Sequence, residues 1–244
     1  MKILQVNVWT GRMKGALLRF IQEHNFDVIC MQEAIWSDEV PDELAFFADT
    51  TDQIKEVAGL DYDARSRCLE FKIFGDAIAT QGNVILSRYP IMEYEDVMIG
   101  PCDNVGISER MSQKVPEYRA QKVRLENGLV VVNHHGYWDK DPLGNEESVI
   151  RMRRVADLIR NESAPMVMCG DLNLKSEAPA MRELDFLHDL TAETGTKTTL
   201  RNLKFVGDVA CDHILVSDNV RWFNFEVHQD ILSDHLAIST EIEI

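Results

Sequence analysis

Apolar residues fall along the chain in short runs, and the spacing inside each run predicts its element. Residues 2–8 (KILQVNV) and 27–33 (DVICMQE) are β-branched-rich stretches that predict strands, and between them Leu17, Leu18, Phe20 and Ile21 recur at helical spacing. A second helix is expected over about 41–58, with Pro41 in its first turn and Gly59 near its end. Strands are then expected at 82–87, 91–98, 118–125 and 129–134, the last two joined by a turn at Glu126-Asn127-Gly128. A helix over about 145–161 follows, then a strand at 166–170, irregular structure, and strands near 212–217, 220–228 and 235–243. Helices near the start and middle, each followed by strand-rich stretches, predict two sheets packed face to face with helices on their outer faces. The ends of several strands then meet along one edge. No repeat, low-complexity segment or Pro/Gly/Ser linker interrupts the pattern, so a single domain over residues 1–244 is expected.

Composition narrows the class. Hydrophobic residues make up 45% and charged residues 27%, the balance of an ordinary globular protein. The net charge of -16, from 41 acidic and 25 basic side chains, repels polyanions and lowers the expectation of tight non-specific nucleic-acid binding. It does not remove nucleic acid as a substrate, because carboxylates gathered for a metal add negative charge and a bound cation reverses the local field. Five cysteines with no regular spacing and no CxxC argue against a disulfide framework or a zinc knuckle. Cys30, Cys169 and Cys211 sit within or beside apolar runs and read as small buried hydrophobes, without assigned chemistry. Met1 and Lys2 lead directly into a strand-like run without a signal-peptide core, and no apolar stretch has the length of a membrane span. The expected setting is soluble, reducing and cytoplasmic.

Candidate chemistry gathers at the ends of these runs: Asn7 in LQVNVW, Glu33 in VICMQEA, His134 and His135 in VVVNHHGYW, Asp171 and Asn173 in VMCGDLNL, Asp212 in CDHILVS, and Asp234 with His235 in LSDHLAI. Taken singly, each has an ordinary structural reading, since Asn7 serves as a turn cap, Glu33 as a solvated strand end and Gly170-Asp171-Leu172-Asn173 as an Asx-rich turn. Taken together, five separate strands would each have to end by accident in a titratable or metal-competent group.

The ordered series QVNVW, MQE, GNVILSRYPI, NHHG, GDLN, CDHILVS and SDHLAI, running from residue 5 to residue 238, resembles the motif set of the endonuclease/exonuclease/phosphatase superfamily. GDLN followed by a late SDH is its specific part. The resemblance implies a four-layer α/β/β/α sandwich of two mixed β-sheets, like that of pancreatic-type deoxyribonucleases, and metal-dependent hydrolysis of phosphoesters. The implied cofactor is Mg2+, with Mn2+ as a possible substitute sharing its preference for oxygen ligands. Glu33 is the first candidate metal ligand, and by resemblance Asn7 and Asp234 are expected at the same metal, directly or through water.

His235 is the expected general base, since an imidazole titrates near neutrality. Asp212 matches the family position that fixes the histidine tautomer. Asn173 and His135 are the candidate donors to the phosphoryl oxygens. His135 is preferred over His134 because Asn133-x-His135 aligns with the family's strand-end pattern, which leaves His134 pointing into the sheet. Asp171 aligns with a family carboxylate that either protonates the leaving group or orients the nucleophile, and His213 is read as packing. Asn83 and Arg119 fall where relatives place phosphate-contacting or structural residues. Arg119 lies in a locally basic stretch with Arg110, Lys114, Lys122 and Arg124, for which a solvated basic strand is the alternative.

The superfamily does not fix the substrate. A phosphodiester, including nucleic acid, is the first expectation; a phosphatase or lipid-type phosphodiesterase acting on a small organic phosphate is the second, and a catalytically inactive binding module is the third. Trp9-Thr10-Gly11-Arg12 and Ala34-Ile35-Trp36 depart from the pattern of apurinic-site endonucleases. Trp9, Trp36, Tyr137 and Trp138 follow site-forming strand ends, where aromatics either stack a substrate or pack the rim. No protein partner is implied.

Overall fold

In chain order the elements of the computed structural model are β1 (Lys2–Asn7), α1 (Lys14–His24), β2 (Val28–Trp36), α2 (Thr51–Ala58), β3 (Tyr62–Phe74), β4 (Ala77–Ser87), β5 (Ile91–Pro101) and β6 (Glu117–Leu125). They continue with β7 (Val130–His134), α3 (Glu146–Ile159), β8 (Met166–Asp171), β9 (His188–Asp189), α4 (Leu190–Glu193), β10 (Asp212–Val216), β11 (Arg221–Val227) and β12 (Ile238–Glu243). The structure describes residues 1–37, 39, 49–74, 76–102, 116–201 and 208–244. One six-stranded sheet runs β11-β12-β1-β2-β4-β3 and the other β5-β6-β7-β8-β10-β9. Each is mixed, with β1 parallel to β2 in the first and β7 parallel to β8 in the second.

Alternation along the central strands sorts the core into three apolar layers. Ile3, Val28, Cys30 and Ile85 of the first sheet meet Val123, Val131, Val167, Cys169 and Ile214 of the second in the middle layer. The opposite faces of β1 and β2, through Leu4, Val6, Ile29 and Met31, pack on Leu17, Phe20 and Ile21 of α1 and Ile54 of α2. In the second sheet Val130, Val132, Met166 and Met168 pack on Met152, Val155 and Ile159 of α3. Each such side chain contributes about 1.5–3 kcal/mol when fully buried. Helix, sheet, sheet, helix is the four-layer sandwich expected from the sequence.

Helix α3 is fixed at its start by Asn145, whose side chain accepts from Glu147 N and Ser148 N while Ser148 Oγ accepts from Asn145 N. The Glu126–Gly128 turn joins β6 and β7, with Gly128 at φ +88. Of the helix expected at 41–58, Thr51–Ala58 is α2 and Gly59, at φ +61, closes it; residues 41–48 lie outside the described residues, as do Arg110 and Lys114.

Strand β3 and the first half of β4 were not expected from the sequence. β3 is an edge strand carrying Arg65, Arg67, Glu70 and Lys72, whose charges hide its period. Arg65 is paired with Asp52 and Asp63, so the edge is blunted by ion pairs. Strand β12 begins at Ile238 rather than 235, because His235 leaves the ladder and makes only an isolated bridge with Leu200. Among the described residues no helix is long and apolar enough to cross a membrane.

Candidate active site

Along the face between the sheets, apolar side chains give way to polar ones toward one edge. The sequence runs Ile3, Gln5, Asn7 on β1; Val28, Cys30, Gln32 on β2; Val131, Asn133 on β7; Val167, Cys169, Asp171 on β8; and, in the reverse direction, Ile214, Asp212 on β10. Gln5, Gln32, Gln121 and Asn133 are wholly buried. They form one carboxamide seam: Gln5 and Gln32 exchange hydrogen bonds (2.6 and 2.8 Å), Gln32 donates to Asn133 Oδ1 (2.7 Å), and Asn133 donates to Gln121 Oε1 (3.1 Å). At its end Gln5 Nε2 donates to Asp212 Oδ1 (3.2 Å). The seam satisfies groups that would otherwise be costly to bury, and it ties the first sheet to the second just beneath the polar edge.

At that edge the candidates from four strands converge. His235 Nδ1 donates to Asp212 Oδ2 at 2.8 Å, and its Nε2 lies 3.6 Å from Asp171 Oδ2. His135 Nε2 approaches the same Asp171 oxygen at 3.5 Å, and Asn7 Nδ2 donates to it at 3.0 Å. Asn7 Nδ2 also donates to Glu33 Oε1 (3.2 Å), so one carboxamide joins carboxylates from the two sheets. Asp212 is held by its backbone as well, its N–H donating to Thr199 Oγ1 (3.0 Å) and its carbonyl accepting from Thr191 Oγ1 (3.1 Å).

Glu33 reaches the site through a β-bulge. The β2–β4 register shifts between Met31 and Ala34, and Glu33 adopts φ +54, a conformation that L residues seldom hold and that turns its side chain out of the strand alternation. Asn173 is likewise left-handed at φ +56; its N–H donates to Asp171 Oδ1 (3.1 Å) and its side chain to the Gly136 carbonyl (3.0 Å). Gly136 lies against this turn so closely that an added Cβ would stand 2.1 Å from Leu172 O. Gly136→Ala is therefore expected to push the Asp171–Asn173 turn from its place. A fall of at least about tenfold in kcat/KM would follow, since a misplacement of about 1 Å costs up to 10²-fold, and unchanged steady-state kinetics would refute it.

Electrostatics separate the two adjacent histidines. His134 is buried, donates from Nδ1 to Arg119 O (3.0 Å), and burial pushes its pKa down to about 4, so it stays neutral inside the sheet. His135 is the member of the pair that faces Asp171. Burial opposes a charge on His235, but Asp212 and Asp171 outweigh it and hold its pKa well above the ordinary 6.5. Asp171 is also penalised by burial, and His235 and His135 nonetheless keep it below the usual carboxylate range.

Among the described residues the side chains of Asp234, Asn83 and Arg119 make no hydrogen bond or ion pair with this cluster. Asp234 is half-buried and its carboxylate accepts from the neighbouring Ser233 hydroxyl (3.0 Å). Asn83 is wholly buried, donates to Arg119 O (3.0 Å), and its Oδ1 has no partner among the described residues. Arg119 is gripped by both oxygens of Asp96 (3.0 Å each) and paired with Glu117 (2.5 Å). No hydrogen bond or ion pair joins Asn83 or the Arg119 side chain to Glu33, Asp171 or His235. His213, read as packing, is a hydrogen-bonded group instead: Nδ1 faces Asp189 Oδ2 (3.0 Å) and Nε2 donates to Leu174 O (2.8 Å). Of the aromatics, Tyr137 stacks edge-on with Tyr118 under Arg151, and Trp36 packs beside Arg65; Trp138 remains 44% exposed, and Trp9 carries Arg12 over its ring at 4.6 Å.

The donor chemistry fits a hard divalent cation at Glu33. Among the described residues this half-buried carboxylate receives only carboxamide N–H groups, from Asn7 (3.2 Å) and Gln81 (3.5 Å), and no Lys or Arg neutralises it. Asp171, Cys211, Asp212 and His235 also offer one ligand atom each within 4.8 Å of one another.

Comparison with known proteins agrees in fold. A solved endonuclease/exonuclease/phosphatase from Beutenbergia cavernae superposes with a TM-score of 0.77 at 17% identity, covering 100% of this chain and 71% of that one. The mannosyl-6-phosphatase of Bacteroides thetaiotaomicron gives 0.70 at 15% identity with 100% of both chains covered, and the human Nocturnin catalytic domain with bound sulfate gives 0.67 at 14%, covering 100% and 93%. No curated protein matches the sequence. A family model described as the Endonuclease/Exonuclease/phosphatase family matches residues 4–235. Nearly the whole sequence lies inside that match, and the chain belongs to the endonuclease/exonuclease/phosphatase family.

Proposed function

We propose that this chain hydrolyses phosphoester bonds with the help of a divalent cation, magnesium first and manganese as a substitute, by attack of a water that His235 activates. The observation that carries the reading is the continuous contact from Asp212 through His235 and Asp171 to Asn7 and Glu33, which gathers acid, base and candidate metal ligand in one polar edge. Asp212 fixes the His235 tautomer by accepting a hydrogen bond from Nδ1–H, so that Nε2 accepts the water's proton when the ring is in its neutral form. The water oxygen bonds to phosphorus as the ester P–O bond breaks. Asp171 either orients that water or protonates the leaving oxygen; the two imidazoles beside it favour its ionised form, which suits orientation. His135 and the second amide hydrogen of Asn173 are the donors to the phosphoryl oxygens. When bound, the cation held by Glu33, with Asn7 and Asp234 directly or through water, neutralises charge on those oxygens. Arg119, with its charge already compensated, and buried Asn83 are assigned to supporting the β4–β6 face rather than to gripping phosphate.

A phosphodiester is the first substrate class. Half-buried Trp9 and exposed Trp138 follow the ends of β1 and β7, where an aromatic ring suits contact with a leaving group larger than phosphate alone. A small organic phosphate is the second reading, favoured by the net charge of -16 and by the fold likeness to a mannosyl-6-phosphatase.

The test is hydrolysis of bis-p-nitrophenyl phosphate, p-nitrophenyl phosphate and plasmid DNA with magnesium, with manganese and with EDTA. EDTA-sensitive cleavage of the diester supports the reading, and plasmid cleavage with steep salt dependence extends it to nucleic acid. Inactivity on every substrate with both metals would sink it. Glu33→Gln is expected to raise the magnesium concentration needed for half-maximal rate by about tenfold or more, and an identical metal titration would remove Glu33 from the ligand set.

A further inference from the structure

Cys211 has no role in the hydrolytic scheme, yet it stands inside the cluster. Its Sγ lies 3.8 Å from Asp212 Oδ2 and within 4.8 Å of a ring nitrogen of His235. With Asp171 these residues offer four ligand atoms, all within 4.8 Å of one another, from residues that are at most 9% exposed. Among the described residues neither carboxylate is paired with Lys or Arg; their partners are the two histidines, amide N–H groups and the thiol.

We propose that Cys211, His235, Asp212 and Asp171 form a thiophilic cation site, and that zinc or cadmium captured there arrests the hydrolytic centre. A sulfur, nitrogen and oxygen donor set is that of tetrahedral zinc, whereas magnesium takes oxygen ligands alone, so this corner and the Glu33 carboxylate select different ions. Ligands at about 2.0–2.3 Å from a tetrahedral ion are about 3.3–3.8 Å apart. The Cys211–Asp212 contact already has that spacing, and the widest pair needs to close by about 1 Å. Binding displaces to solvent the Cys211 thiol proton and the hydrogen that a doubly protonated His235 carries on the nitrogen taking the ion, while the other ring nitrogen keeps its hydrogen. An imidazole committed to the ion no longer accepts a proton from water. The arrest of catalysis rests on the function proposed above; the binding does not.

The experiment therefore reads binding itself. The metal-free protein is titrated with Cd2+, following thiolate-to-cadmium charge-transfer absorption, and with Zn2+ in competition with a chromogenic chelator. Wild type is compared with Cys211→Ser, which keeps the side chain's size, with Cys211→Ala, and with a Cys68→Ser/Cys102→Ser variant lacking the two partly exposed thiols. One equivalent of cadmium with a thiolate signal is expected in wild type and in the Cys68/Cys102 variant. Both Cys211 variants should lose that signal and bind zinc at least about 100-fold more weakly, the upper cost of losing even an outer metal partner. A signal that survives in Cys211→Ser, that disappears only with Cys68 and Cys102, or that never forms would overturn the site. If cadmium binds through Cys211 but no phosphoester is hydrolysed, the ion site stands and the hydrolytic reading fails; if magnesium-supported hydrolysis is unaffected by bound zinc, the arrest is refuted.

Discussion

His235→Ala lowers the turnover number by about 10²–10⁴-fold, the range a positioned general base supplies. The loss falls on kcat more than on KM, because water activation matters in the transition state and little in substrate binding. The substitution also leaves Asp171 and Asp212 without the imidazole that neutralised them, so a smaller loss of stability accompanies it. Exogenous imidazole separates the two effects: part of the missing rate returns if the vacated space once held the base, whereas a rate lost to unfolding does not. A purified variant within about threefold of wild type would remove His235 from the mechanism.

The second large effect is on folding. His213 is wholly buried on the face of β10 opposite Asp212, with one nitrogen on Asp189 and the other donating to Leu174 O, so both nitrogens carry hydrogen. Asp189 is held in turn by Ser176 Oγ (2.8 Å) and by Thr191 N (3.0 Å), whose hydroxyl binds the Asp212 carbonyl. His213→Leu strands that carboxylate and is expected to cost about 3 kcal/mol, near the lower end for breaking a buried pair because other donors remain. Urea unfolding checks it, and a loss below about 0.5 kcal/mol would mean that the pair is dispensable. The loss depends on pH. Burial disfavours the imidazolium, yet Asp189 raises the His213 pKa above 6.5, so its contribution is complete below 6.5 and fades as pH rises through the folded value. Asp189, disfavoured by burial but lowered by His213, contributes above its ordinary 3.8 and loses that contribution as pH falls through its folded value. The gap between wild type and His213→Leu is thus widest between about pH 4 and 6.5 and narrows on the alkaline side.

What was legible in the sequence follows from which signals are local. The central strands are, because apolar alternation is read from neighbours, and Asn7, Asp171 and Asp212 stand out as polar breaks in apolar runs. β3 is not, because an edge strand is written in charges that only ion pairing across the fold explains. Gln5 and Gln121 gave no warning either: a glutamine in a strand reads as a solvated position until the opposing sheet supplies its partners. The role of His213 was hidden for the same reason, since Asp189 is 24 residues away and meets it only after β9 and β10 pair. Glu33 was visible, but its left-handed backbone, which aims it, was not.

The carboxamide seam has a consequence for how such an enzyme can be altered. Glu33 and Asn7 ride on one sheet, Asp171, Asp212 and His135 on the other, so the accuracy of the chemistry is an alignment tolerance between two bodies. Oily side chains between the sheets would hold them together almost equally well after a slip of a few ångströms; Gln5, Gln32, Asn133 and Gln121 would not, since every shift strands hydrogen-bonding groups away from water. A redesign that replaced the four with leucine and valine could yield a sturdier protein with a blurred active site. Those amides work as a keyway, trading adhesion for position.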